Sequence, residues 1–391
     1  MAAQPGSFQR HALTWGIYGL VGYFAYLEAF LGPAMPFIRR EQGIGYSVAS
    51  LHFVAFAAGG VLAGGIADRL TARTGRRAML WGGAAGMLLG AAGVIAGGEP
   101  VATIGAALVM GTFGSLLLVT TQAVLADHHG ARSTVALTES NIAASACGMA
   151  ASLAVGTLSA TVLGWRAAVV LPLLGLVVLF ASIGGRSLGR PRVGGRQAAH
   201  HRLPGAFWTY SAVVFLGVAV EWCIGFWGAS FLAEAVPLSA SSAAGAMGLF
   251  FGAMLAGRFA ASRAARRVHG SRLLLATLLV SGLGFPFLWL SPNVPVAFAG
   301  LVVTGLGLGA VYPVGISVAI ATAPSASDTA AARLSIAAAG AILIAPFVLG
   351  RLSDVVGIAH AFVLLAPLIA GAALVAAVAG RVGPASGPAL R

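Results

Sequence analysis

Twelve stretches of mostly apolar residues follow one another along this chain, each of about 18 residues or more and so long enough to cross a bilayer. They cover 12–38, 48–67, 78–97, 101–125, 137–160, 165–185, 206–233, 241–262, 272–290, 295–321, 329–350 and 358–380. The connectors are short, which leaves no room for a separate soluble domain. The pattern predicts an all-α membrane protein. Composition agrees: 59% of the 391 residues are hydrophobic and 8% charged, whereas soluble domains carry about 25% charged residues. A water-soluble enzyme and a disordered tail are both excluded. The 55 Gly and 17 Pro show no short period and sit inside the apolar runs, where membrane helices tolerate them.

All 23 basic residues are arginine, and ten acids oppose them, for a net charge of +13. Such an excess can mark a nucleic-acid partner, but that needs a basic face on a folded domain, and none exists. The positive-inside rule accounts for it better. With the N-terminus in the cytoplasm, only Arg39, Arg40, Arg166 and Arg351 fall outside. Both termini are therefore expected in the cytoplasm, with the protein in a bacterial inner membrane, surrounded by lipid and acting as a monomer. The first span is too long for a signal peptide and lacks a cleavage site behind it. The longest connector, Gly- and Pro-punctuated and carrying Arg186, Arg190, Arg192, Arg196 and Arg202, reads as a basic cytoplasmic linker, 186–205, between halves at 1–185 and 206–391.

A shift of 193 residues supports two related halves. It places Trp15 on Trp208, Gly32 on Gly225, Glu28 on Glu221 and Glu41 on Glu234. Matches of Gly and Ala are cheap in such a chain. Glu occurs six times in all, so two Glu pairs at one offset carry weight. Two similar six-helix bundles are the architecture of transporters that rock around a central site.

Glu28 lies 16 residues into the first span, roughly 24 Å along a helix, and Glu221 is at equal depth in the seventh. An ionised carboxylate there costs at least a few kcal/mol, so each Glu must face a cavity, find a partner or keep its proton. No base is evident nearby. Either acid is a candidate proton carrier; the alternative is a protonated Glu bonded to a backbone carbonyl. The surroundings differ. Pro33 and Pro36 follow Glu28 and are expected to loosen its helix, leaving it wetter and open to a cation. Trp222, Phe226 and Trp227 follow Glu221 and should make it drier and proton-holding. Phe24 and Trp222, among the aromatics of spans 1 and 7, suit a lipophilic cation. His52 could relay protons or pair with Glu28, or simply pack. Gln122, Asn141 and Tyr312 are further cavity candidates. Gly82, Gly86 and Gly90 make a smooth face for helix packing. Cys147 and Cys223 lie in apolar runs, so neither a disulfide frame nor a zinc cluster is expected. No nucleophile–base pair or metal-ligand cluster stands out, so the reading is a non-enzyme without cofactor or metal.

Gly64-Gly65-Ile66-Ala67-Asp68-Arg69, followed by Gly75-Arg76-Arg77, resembles the signature between helices 2 and 3 of the major facilitator superfamily, with four extra residues between its two parts. Gly350-Arg351-Leu352-Ser353-Asp354 is a second, weaker echo. The resemblance implies a twelve-helix transporter in two pseudo-symmetric bundles. It also implies a cytoplasmic gate in which Asp68, with Arg69, Arg76 and Arg77 around it, caps the eleventh span near Arg333. By pseudo-symmetry Glu139 would meet Arg258 and Arg263 at the end of span 8. All of these also read as ordinary interfacial charges, and Arg333 as a holder of an anionic substrate. Two marks of the family's drug:proton antiporters, an Arg in helix 4 and a Gly-Pro pair in helix 5, are missing here. The expected function is proton-coupled export of a small cationic or amphiphilic solute. Symport of a neutral or anionic metabolite, or a receptor that kept the fold without transport, are the alternatives.

Overall fold

The computed structural model describes residues 8–189, 202–291 and 293–382, and every regular element among them is helical. The first helix, α1 (Ala12–Gln42), is continuous through Pro33 and Pro36, contrary to the expected loosening, and ends where Gly43 turns left-handed with φ 63°. The next, α2 (Tyr46–Ala96), has 51 residues, roughly 76 Å of helix and about twice what a bilayer needs. Both of its ends lie on one side of the bundle, because Tyr46 abuts Arg39 and Gly97 accepts from Gln42. The helix therefore doubles back, and it does so at Gly75, whose φ 83° and ψ 161° are open in practice only to glycine. Spans 2 and 3 of the sequence are the two arms of this one element.

The remaining spans follow in order. They are α3 (Pro100–His129), α4 (Ser133–Ser159), α5 (Val170–Ile183), α6 (Gly205–Ala235), α7 (Ala240–Ala264), α8 (Gly270–Trp289), α9 (Val294–Ala321) and α10 (Ser327–Val356). The last is built from α11 (Ile358–Ala361), a 3-10 turn and α12 (Leu365–Val382). Eleven helical segments among the described residues are long and apolar enough to cross a membrane. With α2 counted as two, the expected twelve are accounted for. Of the basic linker, 190–201 with Arg190, Arg192 and Arg196 lie outside the described residues. The side of the bundle where α1 begins and α12 ends is called here the termini side, and the opposite one the far side.

Packing follows residue size. Helices α1, α2 and α4 lie against α6, α10 and α7 from later in the chain. Where α4 crosses α7 the backbones nearly touch: a Cβ on Gly156 would lie 2.5 Å from Gly245 Cα. Gly32 of α1 meets the Gly225 carbonyl in the same way. The returning arm of α2 packs on α3 through Gly83, Gly86 and Gly90. The expected stripe is corrected here, since Gly82 faces open space. Spacings of three and four residues hold one face of a 3.6-residue helix better than two fours do. Trp15 and Trp208, equivalent under the 193-residue shift, are both exposed near the termini side, as interfacial tryptophans are.

Gly75→Ala should therefore destabilise the fold by about 1–3 kcal/mol, the cost of forcing a side chain into that backbone region. Gly82→Ala, on an open helical face, should be neutral or slightly stabilising. Thermal unfolding of both variants in one detergent measures the difference.

Candidate functional site

At mid-height in the bundle two acids interrupt otherwise buried helices. Residues 20–27 and 30–35 of α1 are buried, while Glu28 and Ala29 between them are partly exposed. In α6 the partly exposed pair is Glu221 and Trp222, between buried runs on either side. Both carboxyls thus front a space inside the bundle, and they lie close enough to each other for a direct electrostatic interaction. Tyr312 of α9, expected in the cavity, is half-buried and interacts electrostatically with Glu221. Trp222 leans on Phe226 with ring centroids 4.9 Å apart.

A base does stand at this site. Arg258 of α7 places Nη2 3.8 Å from Glu221 Oε1. Its Nη1 donates to the Ser145 hydroxyl of α4 at 2.7 Å, and its Nε donates to the Gly309 carbonyl of α9 at 3.1 Å. This corrects two expectations, that Glu221 has no base nearby and that Arg258 belongs to a charge pair with Glu139 at the termini side. An arginine has a reach of several ångströms beyond its Cα, and Arg258 spends it inward. Glu139 turns the other way, taking Arg10 Nε at 2.8 Å and the Tyr18 hydroxyl at 3.0 Å. Its partners are Arg10, two residues before α1, and Tyr18 within it. Glu28 has no hydrogen-bond or ion-pair partner among the described residues.

On the far side the seam between the early and late helices is shut. Arg39 of α1 donates to Glu234 of α6 at 3.1 Å, and its guanidinium lies 3.3 Å over the Tyr46 ring. The Tyr46 hydroxyl bonds the same carboxylate. Asp354 of α10 accepts from the backbone N–H groups of Tyr46 and Ser47, both at 2.7 Å. Phe53 of α2 stacks on Phe226 of α6 at 4.0 Å. Glu41, the sequence equivalent of Glu234, is used differently. It takes Arg166 in a two-pronged pair at 2.8 and 2.6 Å and Trp165 Nε1 at 2.9 Å, all within the early helices.

The termini side is different. Asp68, Arg69, Arg77 and Arg333 are all exposed, and among the described residues no ion pair or hydrogen bond joins Asp68 to Arg333. The expected contact is not made in this conformation. Arg76 is buried and bonds Asp127 of α3, so it fastens the returning arm of α2 to its neighbour. His52 does not reach Glu28 either. Its ring bonds the Ala49 carbonyl at 3.0 Å and the Thr103 hydroxyl at 2.8 Å, fully buried between α2 and α3. Asn141 donates to the Leu137 carbonyl of its own helix at 3.0 Å, and Gln122 is exposed on α3. Phe24 is buried against Gly114 of α3. Tyr23, Tyr26 and Trp227 each donate to a backbone carbonyl, of Ala84, Ala168 and Pro346, at 2.8 Å.

The structure thus gathers Glu28, Glu221, Trp222, Tyr312 and Arg258 and disperses the other candidates. Ser145 was missed, since a lone hydroxyl in an apolar run carries no signal. Asp127 could have been found, because it is the acid nearest the end of span 4, on the same side as Arg76.

Comparison with known proteins fits this geometry. No curated protein matches the chain. The bacterial homolog of the human lysosomal transporter Spinster, solved in an inward-facing and occupied conformation, is 16% identical, with a TM-score of 0.72 over 97% of this chain and 98% of that one. The nucleoside transporter NupG, as its D323A mutant, is 11% identical, with a TM-score of 0.77 over 94% and 99% of the two chains. A POT family transporter in complex with a thioalcohol-conjugated peptide is 11% identical, with a TM-score of 0.76 over 94% and 96%. These likenesses establish the fold. Residues 15–292 match the family profile of the Major Facilitator Superfamily, and the chain belongs to that family of membrane transporters.

Proposed function

We propose that this transporter exports a small cationic or amphiphilic organic compound in exchange for protons, by alternating access in two six-helix halves, 1–185 and 206–391. The single observation that carries the reading is Glu28. It is an acid at mid-height, facing the internal space without a partner, beside a second acid on the other half. Two carboxylates against one guanidinium leave the space short of a positive charge. A desolvated carboxylate without a counter-charge is costly, so Glu28 gains from either a proton or the cationic group of a substrate. The two then compete for one site, which is the requirement for exchange.

Glu221 has a different part. With Arg258 at 3.8 Å it is held in a loose ion pair, which protonation would break. Arg258 also bonds Ser145 across the seam, so a change at Glu221 alters a contact between the halves. That supports Glu221 as the acid through which the proton biases the conformation. The arginine-rich character of the termini side supports a cytoplasmic location for it under the positive-inside rule. The unmade Asp68–Arg333 contact and the shut far side support a conformation that faces the cytoplasm.

One observation favours a second reading, symport of an anionic metabolite. Arg258 is 32% exposed at this site, and a guanidinium suits a carboxylate or phosphate. A non-transporting receptor is distinguished by the absence of flux.

In proteoliposomes, Glu28→Gln should weaken binding of lipophilic cations at least about tenfold, the scale of a lost charge-assisted bond. Glu221→Gln should abolish flux driven by an imposed pH gradient while sparing substrate exchange, because the amide stands in for the protonated acid. Wild-type transport by both variants would make the two carboxylates structural. If anions rather than cations stabilise the protein against heat, and Arg258→Gln removes that effect, the symport reading replaces this one.

A further inference from the structure

The bend of α2 carries a cavity of about 480 Å³ that shares no residue with the central site. One wall is Gly75 with Arg76 and Arg77, where the returning arm of α2 begins; the other is 185–189, the chain that leaves α5. Arg76 ties the two walls together, since its Nη1 donates to the Leu188 carbonyl at 3.4 Å while its Nη2 holds Asp127. A neighbouring cavity shares Arg76 and 187–189 but is also lined by Asp127 and His128, so the first is the more positive of the two.

Among the described residues no acid lines the first cavity, whereas three arginines do. Arg77 and Arg186 are exposed, and neither has a carboxylate partner among the described residues. Ser187 accepts from the Gly189 N–H at 3.5 Å, and its own O–H donates to nothing among them. The returning arm starts at this wall, so the positive end of its dipole lies there too. Two guanidiniums, a hydroxyl and a helix N-terminus make a donor set for a phosphate.

The surroundings distinguish a lipid phosphate from a soluble one. Trp81 follows Arg77 by one turn, roughly 6 Å deeper along the returning arm. Its ring meets Phe180 of α5 edge-on at 4.9 Å, and Phe180 is half exposed. Helix α5 buries only Pro172 and Ile183, and Leu174, Val177 and Val178 stand on its exposed surface. Acyl chains along that surface meet first an aromatic pair and then arginines, which is the order of an interfacial lipid site. We propose that the cavity binds the headgroup of an anionic phospholipid, with Arg77 and Arg186 on its phosphate, Ser187 donating to it and Trp81 and Phe180 against the start of the chains. A zwitterionic headgroup fits less well, because its cation finds no acid there. The site is separate from the substrate space and independent of the coupling ion.

Thermal unfolding of the full-length protein in a nonionic detergent tests it, with dioleoyl phosphatidylglycerol, dioleoyl phosphatidylcholine and inorganic phosphate as separate additions. A ligand of the folded state raises the midpoint by mass action. Phosphatidylglycerol should do so at concentrations at least about tenfold lower than phosphatidylcholine, the scale of one charge-assisted bond. Arg77→Gln combined with Arg186→Gln should remove that preference. Arg266→Gln combined with Arg267→Gln, which takes two exposed arginines from the same side, should keep it. All four side chains are exposed, so both variants should unfold near the wild-type midpoint without lipid. Equal response of the wild type to the two lipids overturns the proposal, and so does an equal loss of preference in both variants, which marks a diffuse attraction to basic surface. Stabilisation by phosphate alone at the same concentrations as phosphatidylglycerol marks a site for soluble anions and overturns it as well.

Discussion

Arg258 and the two glutamates at mid-height set the terms for the packing around them. A guanidinium at that depth is costly to leave without partners, and Arg258 keeps three of them while staying partly exposed. It is answered by a hydroxyl on α4, a carbonyl on α9 and a carboxylate on α6, three helices that must all come close to α7. Close approach is bought by small residues, which is why Gly156 faces Gly245 where α4 crosses α7, and why Gly257 and Gly309 press on the backbones of α9 and α7. The scatter of glycine through the chain thus serves a polar centre as much as apolar packing.

The two halves share a sequence pattern but not its use. Glu41 and Glu234 occupy equivalent positions, and both bind an arginine. Glu41 is clamped to Arg166 and Trp165 among the early helices, whereas Glu234 reaches across the seam to Arg39 and Tyr46. The same holds for Glu28 and Glu221, one without a partner and one beside Arg258. A repeat supplies the carboxylates in symmetric places; the cations, which the repeat does not preserve, decide what each one does. A rocking motion about a symmetric site needs this asymmetry if binding and opening are to be different events.

The sequence discloses the fold well and the site only in part. Run length and composition are properties of a segment, and they located all twelve spans; the signature around Asp68 gave the family. The doubling back at Gly75 is legible in hindsight from the glycine before Arg76-Arg77. The pairing of charges was misread because it depends on rotation about a helix axis and on the reach of arginine. From its place near the end of span 8, Arg258 looked like a surface charge, and Glu139 was paired with it when Arg10 was at hand. His52 read as a possible relay because nothing in a single span reveals the Thr103 hydroxyl that occupies its ring.

The joint at Gly75 has a mechanical side. Two membrane spans are usually tied by a loop, whose slack lets one shift without dragging the other. Here the arm bearing Asp68 and the arm bearing Arg76 meet at a single residue, and Arg76 is moored to Asp127 of α3. The first arm is tied to α3 as well, through His52 and Thr103 and the close approach of Gly59, so with no slack between them the two arms and α3 are bound to move together. Helix α2 is in that sense a clip closed over α3, with both leaves fastened and a single residue as its bend.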